Sequence, residues 1–406
     1  MKVDTMRAID RWAGIPLTFL VTLLLRPFLP RPILPARPKK ILFIELSEMG
    51  STILADPAMR KARQGLGAEI FFVIFRNNAA SLDLLSTVPR ANIRTIREDS
   101  LWHLALDTLS FLLWTRRAGI DAVIDLELFS RFTALLTGLS LARWRVGFYR
   151  FHNEGLYRGE LLNIRVAYNP HIHIAKNFVA LVNALAAPAP ELPYSKTAIA
   201  DAEITLPRLV AGTAEADAMT ARVALAFPAF DARHHRIVLF NPNASDMLPQ
   251  RRWPAENFAA LARRVLERWD DVLILITGAP DEAAEAEALR AQVGHARMVN
   301  FAGRSALADL PLLYSVAELM VSNDSGPAHF ASVTDMPTIV LFGPETPALY
   351  GPLGRSRPIT AQLACSPCVS AANHRRTACT DPVCMRAIQP VTVLDAVAEV
   401  LDGTGS

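Results

Sequence analysis

The sequence predicts an α/β protein built from two Rossmann-like domains, each with a mostly parallel sheet covered by helices. Short apolar runs such as KILFIEL and AEIFFVIF alternate with amphipathic helical segments, which is typical of parallel strands buried on both faces. The same alternation starts again near residue 236 with RIVLFN and DVLILITG. At 406 residues the chain is long enough for two such domains, each with its own core.

The first domain begins with the strand KILFIEL, and EMGSTILADPAMRKARQ predicts a turn that leads into a helix. AEIFFVIF predicts the next strand, and IDAVIDLEL with SRFTALLTGLSLA predicts a strand and a helix. The pattern weakens over residues 185–235, where Pro, Ala and turn formers dominate. We therefore expect an N-terminal domain over 39–195, an interdomain segment over 196–235 and a C-terminal domain over 236–406.

The second domain repeats this organisation. WPAENFAALARRVLERW predicts a helix with Pro in its first turn, and PDEAAEAEALRAQV predicts an acidic helix. Near the end, the strand LMVS, the loop NDSG, the helix PAHFASVT and the strand PTIVLFG follow one another. Parallel sheets of this kind bind ligands at the carboxyl ends of their strands.

Residues 1–38 precede both domains and predict an apolar helix with a basic, Pro-rich linker. WAGIPLTFLVTLLL contains fourteen residues without a charge, and RPFLPRPILPARPKK follows it. A helix of that length reaches about 21 Å, which is less than the roughly 30 Å of a hydrocarbon core. The basic linker suits an anionic leaflet, so we expect an anchor that lies on the membrane; the alternative is a helix packed on the protein surface.

Composition excludes several classes of protein. The formal net charge is only +3, which argues against nucleic acid as a partner. The four cysteines, Cys365, Cys368, Cys379 and Cys384, lie together near the C-terminus, which indicates a reducing compartment. Their spacing permits a tetrahedral zinc site, but we expect a reduced loop without metal.

The clearest chemical signal is SNDSGPAHFA at residues 322–331. A short apolar strand delivers Asn323, Asp324, Ser325 and Gly326 to the start of a helix with Pro327 in its first turn. The free N–H groups of a helix start favour phosphate, and Gly326 allows close approach of a ligand. An ordinary helix cap by Asp324 or Ser325 is the alternative.

Several motifs in one order give the chain its resemblance to glycosyltransferase family 9, the ADP-heptose:lipopolysaccharide heptosyltransferases. They are NPNASDMLPQRRWPAENFAALA, ITGAPDEAAEAEAL, FAGRSALADLPLLYSVAELMVSNDSGPAHFA and PTIVLFGPETPALYGPLG. ILFIELSEMGSTILADPAMRKAR resembles the opening strand and turn of that family, and the resemblance covers residues 40–400. It implies a GT-B fold, with two Rossmann-like domains that face each other across a cleft.

The resemblance also implies a donor site in the second domain. The pyrophosphate-binding loop of the family falls on Asp324, Ser325, Gly326, Pro327 and His329. Its basic residue falls on Arg251, where Arg replaces the usual Lys and keeps the charge. The remaining implied donor contacts are Arg252, Asn243 and Ser245, with Ala244 in the same loop, and Glu282 for the ribose. Glu282 has the alternative of a solvated residue on an acidic helix. The family implies no cofactor and no metal.

At the catalytic position the chain departs from the family pattern. The family has an Asp after the Gly of the first loop as general base, and this chain has Ser51 after Gly50. A serine hydroxyl near neutral pH cannot replace a carboxylate in this role. Of the nearby carboxylates Glu45, Glu48 and Asp56, Glu48 lies in the loop itself and is the predicted base. The alternative is that Glu48 is loop surface and Ser51 caps the helix.

A basic stretch of the first domain is the predicted acceptor site. It contains Arg143, Arg145 and Arg150, with His152 and Arg158 nearby, and it suits phosphate or carboxylate groups of a lipid-linked sugar. The resemblance implies an inverting, metal-independent transfer from a nucleotide diphosphate sugar, ADP-heptose, to a lipid-linked saccharide. The place implied is the cytoplasmic side of the bacterial inner membrane, as a peripheral protein. Because Ser51 replaces the base, a non-catalytic protein that binds nucleotide sugar or lipid-linked glycan is the alternative.

Overall fold

The computed structural model describes residues 3–128, 130–152, 156–370, 373 and 375–403, and the chain divides into two compact units. Unit 1 comprises Met1–Thr205 and Ala371–Arg375, and unit 2 comprises Leu206–Ser370 and Arg376–Ser406. The division after Thr205 lies inside the stretch 196–235. A short segment of the C-terminal half therefore belongs to unit 1, which a linear reading of the sequence does not anticipate.

Unit 1 contains one six-stranded sheet. Its strands are β1 (Lys40–Ile44), β2 (Glu69–Phe75), β3 (Ile93–Ile96), β4 (Ala122–Asp125), β5 (Trp144–Phe148) and β6 (Ile164–Val166). They lie in the order β3-β2-β1-β4-β5-β6, and all pairs are parallel. Its helices are α1 (Val3–Trp12), α2 (Gly14–Leu25), α3 (Met49–Leu66), α4 (Leu101–Ala118), α5 (Arg131–Leu139) and α6 (Ile174–Ala186).

Helices cover both faces of this sheet. Phe111 of α4 and Leu136 of α5 are buried in one cluster with Leu42 and Val123 of the strands. Helices α3 and α6 pack against each other, and α2 packs on α5. Gly119 ends α4 with φ 69°, a left-handed conformation that favours glycine, so the chain turns sharply there into β4.

Unit 2 has a second six-stranded parallel sheet. Its strands are β7 (Arg236–Asn241), β8 (Val272–Ile276), β9 (Met298–Asn300), β10 (Leu319–Asn323), β11 (Thr338–Phe342) and β12 (Ser356–Thr360). Their order is β12-β11-β10-β7-β8-β9. Its helices are α7 (Thr213–Ala226), α8 (Ala255–Arg268), α9 (Ala283–Val293), α10 (Leu310–Ser315), α11 (Gly326–Ala331), α12 (Pro347–Tyr350), α13 (Val383–Arg386) and α14 (Pro390–Leu401).

The two sheets share one topology. In each unit the first three strands extend the sheet in one direction, and the fourth strand pairs with the first and extends it in the other. The chain therefore reverses between β1 and β4 in unit 1, and between β7 and β10 in unit 2. Ligands of open parallel sheets bind beside the carboxyl ends of the strands at such a reversal. The predicted α/β class with two Rossmann-like halves is confirmed.

The N-terminal segment forms two helices rather than one. Among the described residues no single helix has the length and apolar composition to cross a membrane. The stretches Thr5–Trp12 and Gly14–Leu25 meet those criteria only together, as a pair bent by 41°.

Candidate functional site

In unit 2, polar side chains meet where β7 and β10 end. Asn323, the last residue of β10, accepts a hydrogen bond from the backbone N–H of Trp253 at 3.0 Å and donates to the carbonyl of Pro242 at 2.6 Å. Trp253 is buried and donates its indole N–H to the carbonyl of Ile388 at 3.0 Å. One amide side chain therefore joins the loop after β7 to the segment before α8.

Arg251 is the cation of this region. Its side chain is 11% exposed, and its Nη1 lies 3.7 Å from Oδ2 of Asp324. Within the described part of the chain, the Nε of Arg251 and the Nδ2 of Asn243 are buried and make no hydrogen bond. Buried donors of this kind normally have partners. Both donors belong to the segment between β7 and α8, and Arg251 also reaches Asp324 after β10, so this strand reversal offers donors that can receive an anion.

The side chain of Arg252 is used within its own loop. It donates to the carbonyl of Ala244 at 3.0 and 2.8 Å and pairs with Asp246 at 2.6 Å. Ser245 is exposed and its hydroxyl accepts from the N–H of Met247. Arg252 therefore positions the backbone beside Asn243, and its role as a second phosphate contact stays a prediction.

Glu282 lies beyond the end of β8. Its carboxylate accepts from the backbone N–H of Ala279 at 2.6 Å and so closes its own turn. This hydrogen bond gives the carboxylate of Glu282 a structural role. Its contact with a ribose stays a prediction.

The loop at Asp324 leads into α11, which has only six residues. Ser325 is the residue before the helix, but its hydroxyl makes no capping bond. It lies instead 3.2 Å from the hydroxyl of Ser322 and 3.4 Å from Oδ1 of Asn241. Gly326 and Pro327 form the first turn, and His329 is buried in the last. A helix this short contributes little dipole, so we expect the side-chain donors of Arg251 and Asn243 to bind the anion.

In unit 1, the corresponding strand ends carry carboxylates. Glu45 follows β1 and is buried, and Glu127 lies two residues beyond β4. One carboxylate oxygen of Glu127 accepts from the N–H of Leu46 at 3.1 Å, and from the N–H and hydroxyl of Ser47 at 3.2 and 2.7 Å. Glu127 thus fixes the loop that leads to Glu48. Sequence reasoning missed Glu127, although its position after a strand that pairs with β1 was the available signal.

Glu48 is the residue before α3 and makes an ion pair with Arg375. Its backbone is extended, its side chain does not cap the helix, and about a third of that side chain is exposed. Met49 begins the helix, so Gly50 and Ser51 lie in its first turn. Glu48 is therefore the accessible carboxylate of the loop, and its partner comes from the C-terminal segment that belongs to unit 1.

The carboxylates interact electrostatically. Burial above all, then the negative charges of Glu127, Glu48 and Asp125, raise the pKa of Glu45 well above its usual range, while Arg375 opposes the shift. Such a group carries a proton at pH values where an exposed glutamate has lost it. Carboxylates pushed toward protonation in a cluster are typical of catalytic sites.

Asp125 and Asp56 have structural partners. Asp125, fully buried at the end of β4, pairs with Arg158, whose Nη2 also bonds the hydroxyl of Thr133 at 2.9 Å. Burial raises the pKa of Asp125 in spite of that pair. Asp56 lies two turns into α3, fully buried, and pairs with Arg60 at 2.7 Å. Neither carboxylate is accessible to a substrate.

The predicted acceptor stretch does not form one exposed surface. Arg143 is exposed over the ring of Trp144, and Arg150 lies half-buried over Tyr157. Arg145 is 2% exposed and donates to the carbonyls of Leu161, Ala142 and Pro30.

Burial lowers the pKa of Arg145 to about 10. The guanidinium of Arg145 is already hydrogen-bonded to backbone carbonyls inside unit 1. Arg145 is therefore not part of the proposed acceptor site.

The cysteines are all free thiols. Cys365 is exposed and Cys384 is buried, and burial raises the pKa of the Cys384 thiol. In the described residues no group of three or more His, Cys, Asp or Glu side chains has the arrangement to hold a metal ion.

The fold and these two strand-end sites define a two-unit α/β protein with an anion-receptive loop in one unit and a carboxylate cluster in the other. The profile of glycosyltransferase family 9 (heptosyltransferase) matches residues 115–378. This match spans more than half of the chain, and the chain belongs to that family. It is therefore a glycosyltransferase by family.

Curated relatives and solved structures agree with this assignment. The chain is 23% identical over 323 residues to the lipopolysaccharide core heptosyltransferase OpsX of Haemophilus influenzae, covering 79% of this chain and 84% of that protein. It is 33% identical over 119 residues to lipopolysaccharide heptosyltransferase 2 of Salmonella typhimurium, covering 29% of this chain and only 34% of that protein. The structure of E. coli ADP-heptose lps heptosyltransferase II matches with a TM-score of 0.66 and 19% identity, covering 90% of this chain and all of that one. The shared fold confirms the GT-B architecture.

Proposed function

We propose that the protein transfers a sugar, with inversion, from a nucleoside diphosphate donor to a lipid-linked saccharide. ADP-heptose is the proposed donor, because family 9 carries the description heptosyltransferase and the E. coli protein of the same fold acts with ADP-heptose according to its name. The proposed acceptor is a lipopolysaccharide core saccharide, because the name of the relative OpsX is lipopolysaccharide core heptosyltransferase. The observation that carries the proposal is the pair of buried donors without a hydrogen bond to the described residues, Nε of Arg251 and Nδ2 of Asn243, in the segment that follows β7 in unit 2.

Arg251 and Asn243 are the proposed receptors of the diphosphate. A guanidinium is always charged and binds phosphate oxygens through a fork of N–H groups, and an amide adds a neutral donor. Asp324, at 3.7 Å from Arg251, orients that guanidinium. A carboxylate repels phosphate, so its further contact is with donor hydroxyl groups rather than with the diphosphate. The fixed cation supplies charge stabilisation as the diphosphate leaves.

Glu48 is the proposed general base. It removes the proton from the acceptor hydroxyl, whose oxygen forms a bond to the anomeric carbon from the face opposite the diphosphate. The bond between that carbon and the diphosphate oxygen breaks, and the nucleoside diphosphate leaves with the electron pair. Arg375 holds the carboxylate of Glu48, and Glu127 fixes the loop that carries it. Ser51 takes no part in proton transfer in this scheme.

The acceptor is lipid-linked, so we place the protein at the cytoplasmic face of the inner membrane. The exposed Arg143 and the half-buried Arg150 are the proposed contacts to acidic groups of the acceptor.

Calorimetric titration of the purified protein with ADP, UDP, GDP and ADP-heptose tests the donor site. We expect the two adenine compounds to bind more tightly than UDP and GDP. A preference for UDP or GDP would overturn the proposed donor while leaving the family assignment intact. Binding of none of the four would contradict the diphosphate site itself.

The replacement of the base by Ser51 favours one other function, a non-catalytic protein that binds the nucleotide sugar. The two functions differ in turnover. Release of ADP from ADP-heptose in the presence of heptose-deficient lipopolysaccharide acceptor supports the enzyme. Donor binding without ADP release, across acceptors that differ in core length, supports the binding protein.

A further inference from the structure

Helix α2 buries its small residues and exposes its large apolar residues, which is the reverse of the pattern on a helix that faces water. The residues that it turns toward unit 1 are small: Gly14 lies against the aliphatic part of Arg131, and Thr18 is fully buried. Thr22 accepts a hydrogen bond from the backbone N–H of Glu160 at 3.1 Å. Its large apolar side chains are exposed, and they are Ile15, Leu17, Phe19, Leu20, Leu23 and Leu24. Docked by its small residues, α2 presents an apolar face outward.

Helix α4, in a different part of the chain, also exposes large apolar side chains. Trp102, Leu106, Leu109 and Leu113 recur at helical spacing and are all exposed, Trp102 by 71% and Leu109 by 61%. The opposite face of α4 is packed on the sheet through Phe111. Four large apolar side chains in one exposed stripe are unusual on a helix that faces water only.

Helices α2 and α4 lie on the same side of the sheet of unit 1. Helices α4 and α5 cover one face of the sheet, and α2 packs on α5. Asp10 of α1 accepts from the backbone N–H groups of Arg131 and Phe132 at 2.8 and 3.0 Å, which fixes the N-terminal segment to the start of α5. The outer helices on this side therefore expose leucine and aromatic side chains from two separate regions of sequence.

Basic residues border both helices. Arg11 lies in the last turn of α1, Arg26 follows α2, and Arg116 and Arg117 lie in the last turn of α4. Apolar side chains with tryptophan and arginine at their margins match the interface of an anionic bilayer, where acyl chains receive the former and headgroups the latter. The charge would oppose a second copy of this same surface.

We propose that α2 and α4 together form a membrane-binding surface, which seats unit 1 on an anionic lipid bilayer without crossing it. This goes beyond the N-terminal segment alone, because α4 lies inside the first Rossmann-like fold. The acyl region of the bilayer takes the exposed stripe of α4 and that of α2. Binding of both helices restricts the orientation of unit 1, which a single anchor at a chain end does not.

Flotation of the full chain with vesicles of phosphatidylethanolamine and phosphatidylglycerol tests this proposal, and needs neither donor nor acceptor. Three double variants are compared with the wild type: Leu109→Glu with Leu113→Glu on α4, Phe19→Ser with Leu23→Ser on α2, and Val210→Glu with Leu225→Glu as control. The control residues are as exposed, but lie in unit 2. We expect each of the first two pairs to lower the vesicle partition coefficient by about tenfold or more, since burial of each leucine in lipid is lost. The control binds as the wild type does, and vesicles of phosphatidylcholine alone bind the wild type less.

Three results would overturn the proposal. The first is wild-type binding by the α4 variant, and the second is no binding of the wild type to the anionic vesicles. The third is a wild-type dimer in sedimentation equilibrium that the α4 substitutions dissociate while vesicle binding is retained, which would make this surface an interface between copies. Because all substituted side chains on α4 are exposed, the circular dichroism and unfolding midpoint of that variant should equal those of the wild type.

Discussion

The two sheets have the same topology but opposite chemistry at their strand reversals. Between β1 and β4 of unit 1 the chain places Glu45, Glu48 and Glu127. Between β7 and β10 of unit 2 it places the amide of Asn243 and the guanidinium of Arg251. One fold position thus holds proton acceptors in one unit and anion receptors in the other. The difference shows that the topology fixes where a ligand is bound, while the loop residues decide which ligand.

Replacing the base should have the largest effect on the reaction. Glu48→Gln keeps the shape of the side chain and removes its proton affinity, so we expect kcat to fall about 10²- to 10⁴-fold. ADP affinity should be unchanged, because the proposed donor contacts lie in unit 2. The matched control is Glu69→Gln, which lies at the amino end of β2 on the same sheet. Unchanged turnover of Glu48→Gln would remove Glu48 as the base and leave Glu127 as the next carboxylate to replace.

Not all carboxylates of unit 1 are proposed to be catalytic, and Arg158→Met tests the structural role of one of them, Asp125. This change leaves Asp125 buried without its cation, which costs about 3–5 kcal/mol of unfolding free energy for pairs of this kind. Arg90→Met breaks the pair with Asp83, in which Arg90 is 82% exposed, and should cost far less, because solvent screens an exposed pair.

Urea unfolding of both variants measures this difference. Equal, small losses would mean that Asp125 is not held by Arg158 in the way that the buried pair indicates.

The anion-receptive unit is tested by Arg251→Met. Loss of a charge-assisted contact costs about 1.5–3 kcal/mol, so the Kd for ADP should rise by about 10- to 150-fold. Arg251→Lys keeps the charge without the fork and should fall between the two. Arg264→Met, an exposed residue of α8 in the same unit, serves as the control. Titration calorimetry measures the Kd of all three variants for ADP. An unchanged Kd for Arg251→Met would contradict the assignment of anion binding to unit 2, and with it the difference between the two units.

Much of this contrast could be predicted from the sequence. Continuous apolar runs identified β1, β7 and β10, and their polar continuations identified the loops at Glu48 and Asp324. The strands β3 and β6 were missed because they are short and because Arg94 and Arg165 interrupt their apolar runs.

The missed and misplaced site residues have a common cause, which is contact over long sequence separation. The ion pair between Glu48 and Arg375 joins residues far apart in the chain, and nothing near either residue signals the other. Arg145 belongs to a basic run that indicates a solvated surface, but its guanidinium is turned inward to three carbonyl groups. The exposed stripe of α4 was also missed, since its apolar residues look like ordinary core positions until their burial is known.

The smallest expected effect is on the pH dependence of the unfolding free energy. It tests whether the carboxylate cluster of unit 1 opposes folding. The raised pKa of Glu45 means that the folded chain retains a proton that the unfolded chain loses near pH 4.3 or so. Stability therefore falls as the pH rises from that value through the folded pKa. Glu45→Gln removes this penalty, so the variant should gain unfolding free energy relative to the wild type as the pH rises above the unfolded pKa of a glutamate.

Glu203 gives the opposite sign in the same unit. Its hydrogen bond with Lys61 lowers the pKa of Glu203, so its contribution is present above the unfolded pKa and is lost as the pH falls. Glu203→Gln should therefore lose stability relative to the wild type as the pH rises, where Glu45→Gln gains it. Urea midpoints across the pH range measure both slopes. If the urea midpoints of both variants fall relative to the wild type as the pH rises, the carboxylate cluster at β1 and β4 does not oppose folding. A carboxylate retained at a cost to stability would then not be a difference between this strand reversal and that of unit 2.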